Sequence, residues 1–341
     1  MQTIKAFISG CAGTVLTAAE ENFFATERPW GLILFRRNCA SPEQIASLTA
    51  RFRHLVGRKD APVLIDQEGG RVQRLGPPLT HWRKYPPARA LGELFARNPL
   101  MALRTARSLG RLMAEDMAAC GITVDCLPVL DLPRVGSHDV IGDRAYAVKP
   151  ETVAALARAH SEGLMAGGVL PVMKHIPGHG RAQADSHHEL PVVHASRGEL
   201  EEWDFLPFAA YADCPMAMTA HVVFTALDAD APATLSRKVV NGVIRRDIGF
   251  SGLLMTDDLS MKALSGSMTE KAAAAHAAGC DMLLHCNGDL AEMQELAAAA
   301  RPLAGKAMAR AKAALCRLET PGEVETGLAS LWLTPERRIA A

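Results

Sequence analysis

Short apolar runs alternate with longer amphipathic stretches from one end of the chain to the other. The runs fall at 6–9, 31–35, 62–66, 123–131, 170–175, 217–222, 252–257 and 282–286. They are rich in Ile, Leu, Val and Met and continuous rather than alternating, which predicts parallel strands covered on both faces. Helix signals lie between them. Thr17 with Glu20, Ser41 with Gln44 and Ser196 with Glu199 have the capping-box spacing, and Pro42 adds a first-turn proline. Leu109, Leu112, Met113, Met117 and Cys120 recur at helical spacing, as do Val153, Leu156, Ala157 and Leu164. The alanine-rich stretches at 272–278 and after Glu292 have high helix propensity.

Eight strand-like runs, each followed by a helix-like segment, predict an α/β fold of the (β/α)8 TIM-barrel type. A doubly wound sheet is the alternative, but no run is followed by Gly-x-Gly-x-x-Gly. With no linker, repeat or low-complexity tract, residues 1–341 are expected to form one catalytic barrel. The tail from about Arg301 is expected to add a closing helix and a short extension.

Composition narrows the function. Lys and Arg total 37, as do Asp and Glu, so the formal net charge is zero and no basic field exists for a nucleic-acid partner. The eight cysteines form no Cys-x-x-Cys pair and mostly sit in apolar runs, as buried reduced thiols do. The first residues lack the long apolar stretch of a signal peptide, and no window reaches the length of a membrane span. A cytoplasmic protein without membrane partners is the expectation.

A barrel places its chemistry at strand C-termini and in the loops after them. Those positions hold Asp66, Asp131, Lys174 with His175, His221, and Asp257 with Asp258. The densest stretch is Lys174-His175-Ile176-Pro177-Gly178-His179-Gly180, continuing through Asp185-Ser186-His187-His188. Lys174 and His175 would end a strand, and 179–188 would ride on a long excursion over the mouth. His175 and His179 have a helical metal-ligand spacing, but Pro177, Gly178 and Gly180 oppose a helix there, so no metal is expected. Asp185 and His187, two apart in an extended loop, would face the same side, letting the carboxylate tune a proton-shuttling imidazole. Ser186 lacks a Gly-x-Ser-x-Gly elbow and should point away from both.

The run Leu253-Leu254-Met255-Thr256-Asp257-Asp258 ends in two adjacent carboxylates, which should place at least one at the mouth. Such an aspartate could be a nucleophile, a base or a metal ligand. A capping role fits Asp258 better than Asp257. A third stretch, Ile65-Asp66-Gln67-Glu68-Gly69-Gly70-Arg71-Val72-Gln73-Arg74, has glycines that would let Arg74 return over the mouth, and Arg144 lies in the loop region after the fourth strand. Asp, Lys, His and two Arg together suit a polyhydroxylated ligand such as a sugar.

These motifs together resemble the family 3 glycoside hydrolases, specifically the bacterial single-domain β-N-acetylglucosaminidases of peptidoglycan recycling. The resemblance covers nearly the whole chain. The 174–188 and 256–261 motifs are specific to that group, and 65–74 belongs to the wider family. The resemblance implies Asp257 as nucleophile, His187 as general acid/base with Asp185 as its partner, and Asp66, Arg74, Arg144, Lys174 and His175 as the residues holding the terminal N-acetylglucosamine. It further implies retaining hydrolysis of a small-molecule sugar substrate, a muropeptide or N-acetylglucosaminyl-anhydromuramic acid, by a monomer that needs no cofactor. A β-glucosidase of the same family and a catalytically silent sugar-binding barrel are the alternatives. Two departures, Arg181-Ala182-Gln183-Ala184 and Lys262 where an acid is common, fall outside the proposed chemistry.

Overall fold

The computed structural model describes residues 3–134, 136–186, 189–322 and 326–333. Eight parallel strands close into a barrel in sequence order: β1 (Lys5–Ser9), β2 (Pro29–Leu34), β3 (Val63–Ile65), β4 (Val124–Asp125), β5 (Leu170–Ile176), β6 (Met216–Thr219), β7 (Leu253–Asp258) and β8 (Met282–His285). Closure is made by β1 against β8, with Phe7 opposite Leu283 and Ile8 opposite Leu284. All eight apolar runs of the sequence become barrel strands. Their continuity follows from double burial: Ile8, Val172, Met218, Met255 and Leu284 fill the barrel, whereas their neighbours Phe7, Met173, Ala217, Leu254 and Leu283 pack outward under the helices.

One strand is shorter than its run. The 123–131 run pairs regularly only at Val124–Asp125 and regains a single bridge where Val129 meets Lys174. Pro128, which has no N–H to give to a ladder, stands between the two.

The longer helices are α1 (Ala18–Glu27), α2 (Pro42–Leu55), α3 (Ala88–Arg97), α4 (Pro99–Ala118), α5 (Pro150–Ala166), the π-helical α6 (Lys238–Asp247), α7 (Met268–Ala278), α8 (Leu290–Ala299) and α9 (Gly305–Leu315). Thr17 caps α1 and Ser41 caps α2, with Pro42 in its first turn, while Ser196 and Glu199 close a full capping box on the short helical turn Arg197–Glu199. Ala311 and Ala314 of α9 pack with Ala6 and Trp30, and Leu303 N donates to Ile4 O at 2.8 Å. Leu303 and helix α9 thus seal the end of the barrel opposite the mouth. Among the described residues no helix is long and apolar enough to cross a membrane.

Helices α4 and α5 approach closely because two glycines lie between them. A Cβ on Gly110 would stand 2.2 Å from His160 O, and one on Gly163 would stand 2.0 Å from Arg107 O. Gly110→Ala or Gly163→Ala is therefore expected to cost about 1–3 kcal/mol by overpacking. The urea midpoint of either variant measures this; unchanged midpoints would mean the helices separate freely.

Candidate active site

The C-terminal end of β3 delivers Asp66, and a hairpin follows in which Gln67–Gly69 pairs with Val72–Gln73. Gly69 and Gly70 have φ of 87° and 57°, a turn that side-chain-bearing residues rarely adopt. The buried Gln67 amide ties the hairpin down, donating to Leu75 O at 2.8 Å and accepting from the N–H groups of Arg74 and Leu75. Arg74 thus comes back over the mouth, where its guanidinium donates to Asp66 Oδ2 at 3.1 Å and lies over the Phe35 ring.

From β5, Lys174 Nζ reaches Asp66 Oδ1 at 2.9 Å and Glu68 Oε1 at 2.7 Å. Arg144 grips the same Glu68 with two parallel bonds of 2.8 and 2.9 Å. The result is a ladder of alternating charge, Arg74–Asp66–Lys174–Glu68–Arg144, carrying three cations and two anions. Burial alone would raise the pKa of both acids. The Lys174 and Arg74 charges instead hold Asp66 well below the usual carboxylate range, and Arg144 with Lys174 brings Glu68 down to about 2. Lys174 is raised despite its burial, because both carboxylates favour its ammonium form. Glu68 is a site residue the sequence reading passed over.

His175 follows on β5 with its Nδ1 2.7 Å from Asp131 Oδ2. Asp131 Oδ1 also accepts the backbone N–H groups of His175 and His179, so one buried carboxylate fixes the whole 175–179 turn. Burial opposes its charge, but His175, His179 and these bonds keep Asp131 below its ordinary value. His179 departs from expectation. It does not ride on the excursion but lies in the mouth, 3% exposed, because Gly178, at φ 139°, folds the chain back. Ser186 Oγ is 3.2 Å from its Nε2.

Strand β7 ends in Asp257 and Asp258, which have different duties. Asp258 is spent on structure: its carboxylate accepts from Ser260 N, Ser260 Oγ and Cys286 N. The capping expected of it occurs in a turn rather than at a helix, since Ser267 caps α7. Among the described residues, Asp257 accepts only a local backbone bond, from Asp258 N at 2.8 Å. Burial would raise it, yet His221, His175, that N–H and Lys174 together hold it below the usual range, so it is ionised near neutrality. His221 is itself fixed, with Nδ1 2.7 Å from Thr234 Oγ1 and Nε2 3.0 Å from Asp258 O.

Asp66, Glu68, Arg74, Arg144, Lys174, His175, His179, Ser186 and Asp257 line one pocket of about 150 Å3, with Phe35, Met218, Met261 and Leu284 as apolar wall. The structure thus brings together all five expected sugar-binding residues and the expected nucleophile. Asp185 lines an adjoining hollow that shares Val72, Val140 and Arg144 with the pocket. His187 lies outside the described residues. Among the described residues, no group of three or more His, Cys, Asp or Glu side chains could hold a metal ion. The eight cysteines are free, and burial pushes the thiol of pocket-lining Cys286 well above its ordinary value.

Burial also makes stability depend on pH. His160 and His179 are both depressed by desolvation to about 4 from 6.5. Between those values the unfolded chain binds more protons, so stability is full above pH 6.5 and declines as pH falls towards 4. Glu68 adds a further decline from 4.5 towards 2. Melting temperature is expected to drop steadily from pH 7 to pH 4.5, and His160→Gln, remote from the pocket, is expected to flatten that slope. A slope identical to wild type would contradict the assignment.

The model of the glycosyl hydrolase family 3 N-terminal domain matches residues 15–320. The chain belongs to that family. Similar relatives in glycosyl hydrolase family 3 include the β-hexosaminidase of Nitrosomonas eutropha, 42% identical over 282 residues, 81% of this chain and 79% of the relative. The β-hexosaminidase of Chromobacterium violaceum is 41% identical over 295 residues, 85% of this chain and 81% of that one. Among solved structures, NagZ from Neisseria gonorrhoeae in complex with N-trifluoroacetyl-D-glucosamine superposes with a TM-score of 0.83 at 33% identity, covering 96% of this chain and 93% of its own. Within the family this chain is a β-hexosaminidase, a glycoside hydrolase of the NagZ-like bacterial type.

Proposed function

We propose that this family 3 β-hexosaminidase is a retaining, exo-acting β-N-acetylglucosaminidase that removes terminal N-acetylglucosamine from peptidoglycan fragments. The observation that carries the reading is Asp257. It is a half-buried carboxylate at the mouth, kept ionised by its surroundings, and among the described residues it is not consumed by an ion pair as Asp66 and Glu68 are.

In this reading an Asp257 oxygen attacks the anomeric carbon while His187, oriented by Asp185, gives its proton to the departing oxygen. The C1–carboxylate bond forms as the glycosidic bond breaks. Water then attacks the same carbon, His187 takes the water's proton, and the Asp257 carboxylate leaves, so that two inversions retain the configuration. A His–Asp dyad replaces the second carboxyl group of the usual scheme.

Asp66, Arg74, Lys174, Arg144 and His175 would orient the sugar, since pre-paired charges offer firm donors and acceptors to hydroxyl groups. An N-acetylglucosamine glycone is supported by the N-trifluoroacetyl-D-glucosamine bound to the gonococcal relative. The muramic aglycone, with or without peptide, is supported by the resemblance of 174–188 and 256–261 to recycling enzymes. Action as a single cytoplasmic barrel, monomeric and without cofactor, belongs to the same reading.

The test compares 4-nitrophenyl β-N-acetylglucosaminide with the β-glucoside, then follows release of N-acetylglucosamine from its disaccharide with anhydromuramic acid. The acetamido substrate is expected to win by more than about 100-fold in kcat/KM. Preference for the glucoside would install the β-glucosidase alternative, and binding without turnover would install the silent barrel.

A further inference from the structure

The segment from Pro177 to Val193 crosses the mouth, and its described residues are held unevenly. At its start, Gly180 packs so closely on Leu132 that a Cβ would stand 2.0 Å from Leu132 O. Arg181 Nε donates to the buried Asp204 at 2.7 Å, and Ala182 O accepts from His138 N at 2.8 Å. At its end, Val192–Val193 pairs with Val223–Phe224. Between these anchors, Gln183, Ala184, Asp185, Glu189 and Leu190 are exposed or half-buried. Ser186 alone among the described residues of 183–190 is buried, at 3% exposure, and its hydroxyl meets His179.

His179 is suited to hold that hydroxyl in one place. Its backbone is pinned by the fully buried Asp131, and its ring stands edge-on to His175 with centroids 5.6 Å apart. Its Nδ1 is buried with no hydrogen-bond partner among the described residues. A buried unpaired N–H is less tolerable than an unpaired lone pair. The neutral ring therefore carries its proton on Nε2 and donates it to Ser186 Oγ, leaving the serine proton free to point into the pocket. Burial, which depresses His179 to about 4, keeps the ring in this neutral form near pH 7.

We propose that His179 and Ser186 form a positioning pair for the proton-transfer half of the reaction, fixing the chain between Asp185 and His187 at the barrel mouth. The proposal rests on the reading of His187 as general acid. The pair acts through its neighbours: with Ser186 seated, the chain on either side of it has a fixed point at the mouth.

The pair makes a demand that a merely structural hydrogen bond does not. Its loss should matter in proportion to how much the leaving group needs a proton. The experiment measures kcat/KM at pH 7 for aryl β-N-acetylglucosaminides running from 2,4-dinitrophenyl to phenyl, for wild type, Ser186→Ala, His179→Gln, the double variant and His187→Ala. Ser186→Ala is expected to stay within about threefold of wild type on the dinitrophenyl substrate and to lose about 10–100-fold on the phenyl one. The double variant should lose no more than the worse single variant, because one interaction has been removed twice. A leaving-group-independent loss in Ser186→Ala, alongside steep dependence in His187→Ala, would overturn the pair and leave the general acid in place. A flat series in His187→Ala would overturn the general-acid reading and the pair with it.

Discussion

Asp257→Asn is expected to cut kcat on 4-nitrophenyl β-N-acetylglucosaminide by at least about 10³-fold, with little change in KM or melting temperature. The asparagine amide matches the carboxylate in size and can still accept from Asp258 N through its carbonyl, so the local fold should survive. What it lacks is the charge and nucleophilicity that the reaction needs only at the transition state. The neighbouring carboxylate is the control. Asp258 holds Ser260 and the Cys286 N–H, so Asp258→Asn should harm stability along with rate. Loss of rate without loss of fold is thus the signature of Asp257 alone. Comparable activity in the folded Asp257→Asn protein would remove it from the chemistry.

The second large effect concerns Lys174→Met. Lys174 is 2% exposed and bridges Asp66 and Glu68, so its loss leaves the buried Glu68 and the partly buried Asp66 with only the outer arginines. Breaking such a network from one side is expected to cost about 3 kcal/mol. For a chain of 341 residues that corresponds to a fall in melting temperature of roughly 4 °C. The acid limb should also move. Asp66 and Glu68 would no longer be held so far down, and their stabilisation would be lost at a higher pH than in wild type. Lys174→Arg is not expected to rescue, since the larger planar guanidinium does not fit a buried point-charge site. Sugar binding should weaken in parallel, raising KM. A Lys174→Met protein with wild-type stability at pH 7 and pH 5 would show that the ladder is not energetically coupled.

The barrel was legible because double burial writes parallel strands as unbroken apolar runs, and a polar residue at the end of such a run marks the mouth. Asp66, Lys174, His175 and Asp257 were found in that way. Arg74 was reachable from the two glycines before it, but its anchor, the buried amide of Gln67, was not, because a glutamine beside a turn reads as surface. Glu68 escaped for a similar reason. Nothing local reveals that a carboxylate will be clamped by Arg144 from 76 residues away and by Lys174 from another strand. The sequence puts His179 on the excursion rather than in the pocket wall, because Pro and Gly signal that a chain bends without saying where it goes. The outcome was decided by Asp131, a partner distant in sequence that accepts the His179 N–H. Local sequence therefore reported where functional groups leave the strands, and tertiary contacts decided which of them met.

The central claim is that Asp257 forms a covalent bond to the sugar. A 5-fluoro-β-N-acetylglucosaminyl fluoride tests it directly. Fluorine beside the ring oxygen slows both steps by opposing oxocarbenium character, while the fluoride leaving group keeps the first step fast enough for the glycosyl-enzyme to accumulate. The account predicts one sugar per protein, attached to Asp257 in the peptide spanning 253–261, and no labelling of Asp257→Asn. Attachment at another residue, or an inverted anomeric product from the unfluorinated substrate, would contradict it.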